Sequence, residues 1–271
     1  MNLLLLKPIN TQSLLIILAI IACISIIFAI LIILISKLCK VPKNEKVEKI
    51  QEHLAGANCG GCGFAGCADF AKALFEGKAP LEGCGPTSNE NKKIISDILG
   101  IPFVEKESNY AVVHCAGGKL SLNQYLYVGN EGCISQSAIL DGTKMCHEGC
   151  VGGGTCQAVC PHNAIKIKDG VSYTNKALCE ACGVCVIKCP KNIIELIPQS
   201  SKIYVACSSK CKGKQVVDNC KVGCIGCGLC EKNCPENAIT MINNVPKIDY
   251  SKCIGCKICV NKCPRKCIKE I

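Results

Sequence analysis

Two runs near the carboxy terminus constrain this chain more than any other feature. They are Cys224-x2-Cys227-x2-Cys230-x3-Cys234-Pro235 and Cys253-x2-Cys256-x2-Cys259-x3-Cys263-Pro264. Three closely spaced thiolates can close on one inorganic core, while a fourth, held by the turn before proline, reaches across to a second. Soft sulfur donors at this spacing select iron–sulfur clusters or zinc. Two linked copies favour a pair of [4Fe–4S] clusters over zinc.

Cysteine usage elsewhere agrees. The chain has 28 cysteines in 271 residues, no tryptophan and only 4% aromatic residues. A secreted disulfide scaffold is usually shorter and does not repeat C-x2-C-x2-C-x3-C-P. Cysteine-rich segments with so little aromatic bulk need another cross-link, and metal clusters supply one. The formal charge of +10 resembles a nucleic-acid signal. Five four-thiolate [4Fe–4S] clusters would contribute about −10 and offset it. Beyond the lysines next to the apolar span described below, the basic residues are scattered among cysteines without aromatic interleaving, so nucleic acid is not an expected partner.

The carboxy-terminal pattern repeats without gaps at a period of 74 residues. Cys160, Cys179, Cys182, Cys185 and Cys189 map onto Cys234, Cys253, Cys256, Cys259 and Cys263; Cys133, Cys146, Cys150 and Cys156 map onto Cys207, Cys220, Cys224 and Cys230. A unit of this size used twice is a duplicated supersecondary module. The first copy departs where Gly153 replaces Cys227, and Cys146 is expected to supply the missing ligand. With cross-ligation, four clusters follow. They use Cys146, Cys150, Cys156 and Cys189; Cys160, Cys179, Cys182 and Cys185; Cys224, Cys227, Cys230 and Cys263; and Cys234, Cys253, Cys256 and Cys259. Between the cysteine runs, alternation around Asp169-Gly170 and Asn243-Asn244 predicts a β-hairpin in each copy.

A fifth group, Cys59-x2-Cys62-x4-Cys67-x16-Cys84, has its own spacing. Its glycines allow tight turns that aim amides at sulfur, and a zinc knuckle is the alternative. A helix is expected after Cys67, over 68–77 and closed by Gly77, and another over Asn89–Leu99. The remaining cysteines, Cys23, Cys39, Cys115, Cys133, Cys207, Cys211, Cys220 and Cys267, read as buried or structural thiols; a further cluster drawing on Cys207, Cys211 and Cys220 is the sharper alternative.

Residues 14–35 are an uncharged apolar run, long enough to cross a bilayer core as a helix. Lys7 precedes it, whereas Lys37, Lys40, Lys43, Lys46 and Lys49 follow. The positive-inside rule then puts the cysteine-rich part in the cytoplasm. The expected organisation is α+β. Residues 1–37 form an anchor with one transmembrane helix, 38–53 a linker and 54–100 a small four-cysteine [4Fe–4S] domain. Residues 101–140 form a strand-rich connector, and 141–197 and 198–271 two tandem bacterial-type 2[4Fe–4S] ferredoxin modules.

No Walker A run or strand-borne G-x-G-x-x-G is found. Several clusters without a flavin, nicotinamide or nucleotide site describe an electron relay. An amino-terminal span, the Cys59–Cys84 group and doubled ferredoxin motifs together resemble the RnfB family of the Rnf complex, an ion-translocating ferredoxin:NAD+ oxidoreductase. That resemblance implies soluble ferredoxin as electron donor, other membrane subunits as partners, coupling to Na+ or H+ transport, and a place on the cytoplasmic face of the bacterial inner membrane. The alternatives are an anchored polyferredoxin serving another oxidoreductase such as a hydrogenase, and a zinc-binding or redox-sensing membrane scaffold.

Overall fold

The computed structural model describes residues 11–38, 44–105 and 107–271. Cys39 and the flanking Lys7, Lys40 and Lys43 lie outside them. The chain forms two units, Met1–Glu45 and Lys46–Ile271.

The first unit carries α1 (Thr11–Leu38), in which Leu15–Ile35 has a mean hydropathy of 3.5 and no buried residue. A helix apolar on every face has no stripe to bury against a core and is long enough to cross a membrane. The Ser25 hydroxyl donates to the Ile21 carbonyl at 2.8 Å, which satisfies it within the helix. Cys23 is exposed on this helix.

The second unit begins with α2 (Glu45–Glu52), α3 (Cys67–Phe75) and α4 (Asn89–Leu99). The expected helices around Asp69 and Lys93 are α3 and α4. The Ser88 hydroxyl caps α4 by accepting from the Asn91 amide. Ile50, Phe70, Leu74, Leu81 and Ile95 form one small core, with Cys84 buried among them. Part of the segment expected as linker is thus structural, because α2 contributes Ile50, which is fully buried.

Two copies of one αβ design follow. In the first, β1 (Asn109–Val113) leads to the short helices α5 (Cys133–Ser137) and α6 (Thr155–Ala158). The hairpin β2 (Ile165–Lys168)–β3 (Val171–Thr174), α7 (Val184–Lys188) and β4 (Ile194–Pro198) complete it. The second runs β5 (Ile203–Val205), α8 (Lys214–Asn219), α9 (Leu229–Lys232), β6 (Ile239–Ile242), β7 (Val245–Ile248), α10 (Ile258–Lys262) and β8 (Ile268–Glu270). In each copy the first strand pairs antiparallel with the last: Ala111 faces Leu196, and Tyr204 faces Lys269. Both expected hairpins form. Their turns, Asp169-Gly170 and Asn243-Asn244, all have positive φ, as two-residue hairpin loops require. The strand β1 lies inside the stretch expected as a connector, yet it closes the first module by pairing with β4.

The copies share a seam. Tyr110, Val112 and Ile197 pack with Tyr204 and Tyr250. His114, just after β1, directs Nδ1 at the Val205 carbonyl (2.6 Å) and Nε2 at the Glu195 carboxylate (2.7 Å). The Ser208 hydroxyl donates to the Glu148 carbonyl at 2.8 Å.

Candidate metal centres

Cysteines gather wherever a helix start meets a tight loop, because such loops leave amides free to point at sulfur. In the amino-terminal group, Cys59, Cys62, Cys67 and Cys84 line one pocket. The Asn58 side chain accepts from the Cys67 amide (2.8 Å) and pins the loop onto the start of α3. The buried Thr87 hydroxyl donates to Cys84 Sγ at 3.1 Å.

This group sits directly against the first module. A Cβ on Gly61 would lie 2.0 Å from the Cys182 carbonyl oxygen, and one on Gly85 would lie 2.2 Å from that of Ala181. Only glycine permits that approach. It brings Cys182 into the lining of the Cys59–Cys84 pocket.

Cys160, Cys179, Cys182 and Cys185 line a second pocket together. The Ala111 amide donates to Cys179 Sγ at 3.4 Å, so β1 takes part in this site. In the second module, Cys234, Cys253 and Cys259 pack into one core with Cys224, Cys230 and Cys263, and Cys259 lies within electrostatic reach of Cys253 and Cys256. The Ala238 amide donates to Cys234 Sγ at 3.3 Å. Cys230 interacts with Cys224 and Cys263; Cys227 and Cys256 are exposed. The buried Cys267, read from sequence as a structural thiol, shares a hydrogen bond with Cys263, the sulfurs 3.4 Å apart, and interacts with Cys224 as well. These contacts lower the pKa of both partners while its own is raised.

The structure divides the remaining group. Cys150, Cys156 and Cys189 do share a pocket, but its fourth cysteine is Cys133, not Cys146. Cys156 interacts electrostatically with both Cys133 and Cys189. The physical reason is at Gly153. A Cβ there would meet the Gly132 carbonyl carbon at 2.6 Å and the Cys133 nitrogen at 2.7 Å. The place that a cysteine fills in the second copy is taken here by an inserted backbone, fixed by a bond from the Cys133 amide to Thr155 Oγ1 (2.8 Å). Cys146 faces Cys115 and Cys207 instead.

Burial pushes the thiols of Cys150 and Cys185 up to about 12 and those of Cys230 and Cys259 to about 11. Such thiols become thiolates only when a metal core replaces their protons. Lysine supports the resulting charge: the nearly buried Lys191 lines the Cys133 pocket, held by the His147 carbonyl (2.7 Å) and Asp141 (3.7 Å). Among the described residues, no three His, Cys, Asp or Glu side chains close on the position of one ion. The cysteines are arranged around pockets, with N–H and O–H donors aimed at sulfur. This donor set fits [4Fe–4S] clusters, which are held by four thiolates and tuned by hydrogen bonds to sulfur.

Comparison with known proteins agrees. The FeS model, which describes an Fe-S cluster, matches residues 54–86, and the 4Fe-4S dicluster domain model matches residues 223–267. The chain is 38% identical over 201 residues to the B-type subunit of the Na(+)-translocating ferredoxin:NAD(+) oxidoreductase complex of Acetobacterium woodii, covering 73% of this chain and 60% of that protein. It is 39% identical to the B-type subunit of the ion-translocating oxidoreductase complex of Methanosarcina acetivorans, over 63% of this chain and 65% of the relative. It is 34% identical to the B-type subunit of the proton-translocating ferredoxin:NAD(+) oxidoreductase complex of Clostridium ljungdahlii, over 71% of this chain and 69% of the relative. The chain thus spans about three fifths to two thirds of the length of these relatives.

Proposed function

We propose that this chain, which belongs to the RnfB family of subunits in ion-translocating ferredoxin:NAD(+) oxidoreductase complexes, is the electron-relay subunit of such a complex. When bound, each [4Fe–4S] cluster takes up and gives back one electron at a time. The chain's own residues do the rest. Twenty cysteines hold five clusters: the Cys59, Cys62, Cys67, Cys84 group; Cys133, Cys150, Cys156, Cys189; Cys160, Cys179, Cys182, Cys185; Cys224, Cys227, Cys230, Cys263; and Cys234, Cys253, Cys256, Cys259. Gly61 and Gly85 let the first group seat against the loop that carries Cys182. Ile165, Ile194, Ile239 and Ile268 keep water from the ferredoxin sites. Thr87, Ala111 and Ala238 donate to sulfur and bias the charge each site carries.

In this reading α1 anchors the subunit in the cell membrane and carries no ionisable residue for an ion path over Leu15–Ile35. The cluster domains face the cytoplasm, soluble ferredoxin is the donor, and other subunits of the complex take the electrons to NAD+ and couple the transfer to Na+ or H+ movement. The single observation that carries the relay is the direct seating of one site on the next, with Cys182 lining both its own site and that of Cys59. The test uses the purified whole complex. Cys256→Ala should remove one cluster and cut ferredoxin-dependent NAD+ reduction severely while membrane insertion persists. Normal flux with full iron content in that variant would refute the assignment.

A further inference from the structure

Five cysteines that the ferredoxin pattern leaves over are not scattered. Cys115, Cys146, Cys207, Cys211 and Cys220 line one pocket at the seam of the two modules. With its mouth it encloses about 540 Å³, against about 370, 320 and 320 Å³ for the three pockets already assigned to clusters.

Four of the five are related by the internal duplication. Cys146 and Cys220 are equivalent, each four residues before the first cysteine of its module's run. Cys115 and Cys207 are equivalent in space, each two residues after the opening strand β1 or β5. Their surroundings match as well: Cys115 Sγ accepts from the Cys150 amide at 3.4 Å, and Cys207 Sγ from the Cys224 amide at 3.3 Å. The ungapped repeat hides this, because thirty residues separate Cys115 from Cys146 but only twelve separate Cys207 from Cys220. The extra stretch is the insertion that delivers Cys133.

The sulfurs converge. Cys146 lies within electrostatic reach of Cys115 and Cys207, and Cys207 of Cys115. A Cβ placed on Gly117 would lie 3.4 Å from Cys220 Sγ and 3.6 Å from Cys115 Sγ. Residues 120–122 bond across to 219–221, with Leu122 N to Asn219 O at 2.9 Å and Lys221 N to Leu120 O at 2.9 Å, which locks the two halves of the pocket together. The Gly117 amide donates to Cys115 Sγ at 3.4 Å, and Lys144 contributes a positive charge to the lining. No disulfide joins any pair among the described cysteines.

We propose that Cys115, Cys146, Cys207 and Cys220 hold a sixth [4Fe–4S] cluster, two ligands from each module. The inference rests on reading the chain as an iron–sulfur relay. Its location gives it a role. Cys115 is bonded to the amide of Cys150, a ligand of the first module, and Cys207 to that of Cys224, a ligand of the second. The site therefore lies between the two modules' cluster sets and makes them one series. Cys211 has no counterpart in the first copy and is a neighbour, not a ligand.

The test is iron and acid-labile sulfide analysis with electron paramagnetic resonance on the anaerobically purified full chain. About twenty-four iron atoms are expected from six cubanes. Cys146→Ser and Cys220→Ser should each lose about four and the same spectral component, whereas Cys211→Ser should keep all of them. Alkylation of the native wild type, read by mass spectrometry, needs no variant to fold: Cys115 and Cys146 should be protected until the iron is chelated. A wild type with about twenty iron atoms, both thiols freely alkylated and neither serine variant losing iron would overturn the sixth site and leave the relay standing. Iron and sulfide near zero would overturn both.

Discussion

Gly153→Ala tests how the first module obtains its fourth ligand. The added Cβ would stand 2.6 Å from the Gly132 carbonyl carbon and 2.7 Å from the Cys133 nitrogen. Ordinary carbon contacts begin near ~3.5 Å, so the inserted segment at the start of α5 must retreat by almost ~1 Å. Both nearest atoms are backbone, and the Cys133 amide is tied to Thr155 on the same face, so no side-chain rotation relieves the clash. Overpacking of this kind costs ~1–3 kcal/mol. Metal–ligand distances tolerate only ~0.2 Å, so Cys133 should leave its site and that cluster should be lost. The assay is iron content with electron paramagnetic resonance on anaerobic protein, expecting a loss of about four iron atoms. Gly154→Ala is the control. Its Cβ meets nothing closer than Ile167 at 3.7 Å, although its φ of +76° strains an alanine. It should lower stability by ~1–2 kcal/mol and keep the iron. Full iron and an unchanged spectrum in Gly153→Ala would refute the argument that this glycine makes room for a ligand.

Other outcomes follow from single contacts. Thr87→Val removes the hydroxyl bond to Cys84 Sγ. The reduced, more negative form loses more by this, so that cluster's potential should fall by tens of millivolts, ~1 kcal/mol being ~40 mV for one electron; an unchanged potential in a redox titration would count against it. Gly85→Ala drives a methyl into the Ala181 carbonyl and should cost ~1–3 kcal/mol. Hydrogen exchange around Cys182 should rise while iron in the Cys59 group stays; unchanged exchange would contradict the close seating. The Glu195 carboxyl is held below its usual range by the bond from His114, against opposing burial, with Lys247 a weaker support at 3.9 Å. A lowered folded pKa stabilises above the unfolded value and is lost as pH falls through the folded one. Glu195→Gln should therefore cost ~0.5–1 kcal/mol for this half-exposed pair, or about 1–4 °C in melting temperature, at pH 6. The difference from wild type should close below the carboxylate range, and a gap that widens on acidification would defeat the sign.

Much of this architecture is legible in the sequence because cysteine spacing is a local code. Cys59, Cys62, Cys67 and Cys84 line one pocket, six of the second module's motif cysteines share one core, and both hairpins turn at the expected Asp-Gly and Asn-Asn pairs. That Cys133, and not Cys146, lines the pocket of Cys150, Cys156 and Cys189 is not legible that way. Gly153 marks a missing ligand, but which sulfur replaces it depends on how an inserted loop folds back, which is a long-range fact. The equivalence of Cys115 with Cys207 is hidden for the same reason: the insertion restores the 74-residue register by matching Cys133 to Cys207, a coincidence of number that the strand pairings undo. The signal available in sequence was the surplus of cysteines itself, since eight thiols beyond the motifs exceed what small cores need.

The most direct test of the account is optical. The anaerobically purified full chain is mixed with reduced ferredoxin, and its visible sulfur-to-iron absorption is followed. A brown protein is expected, rich in acid-labile sulfide, whose band bleaches as electrons enter. A colourless chain, or one that binds zinc without sulfide and takes up no electrons, would contradict it.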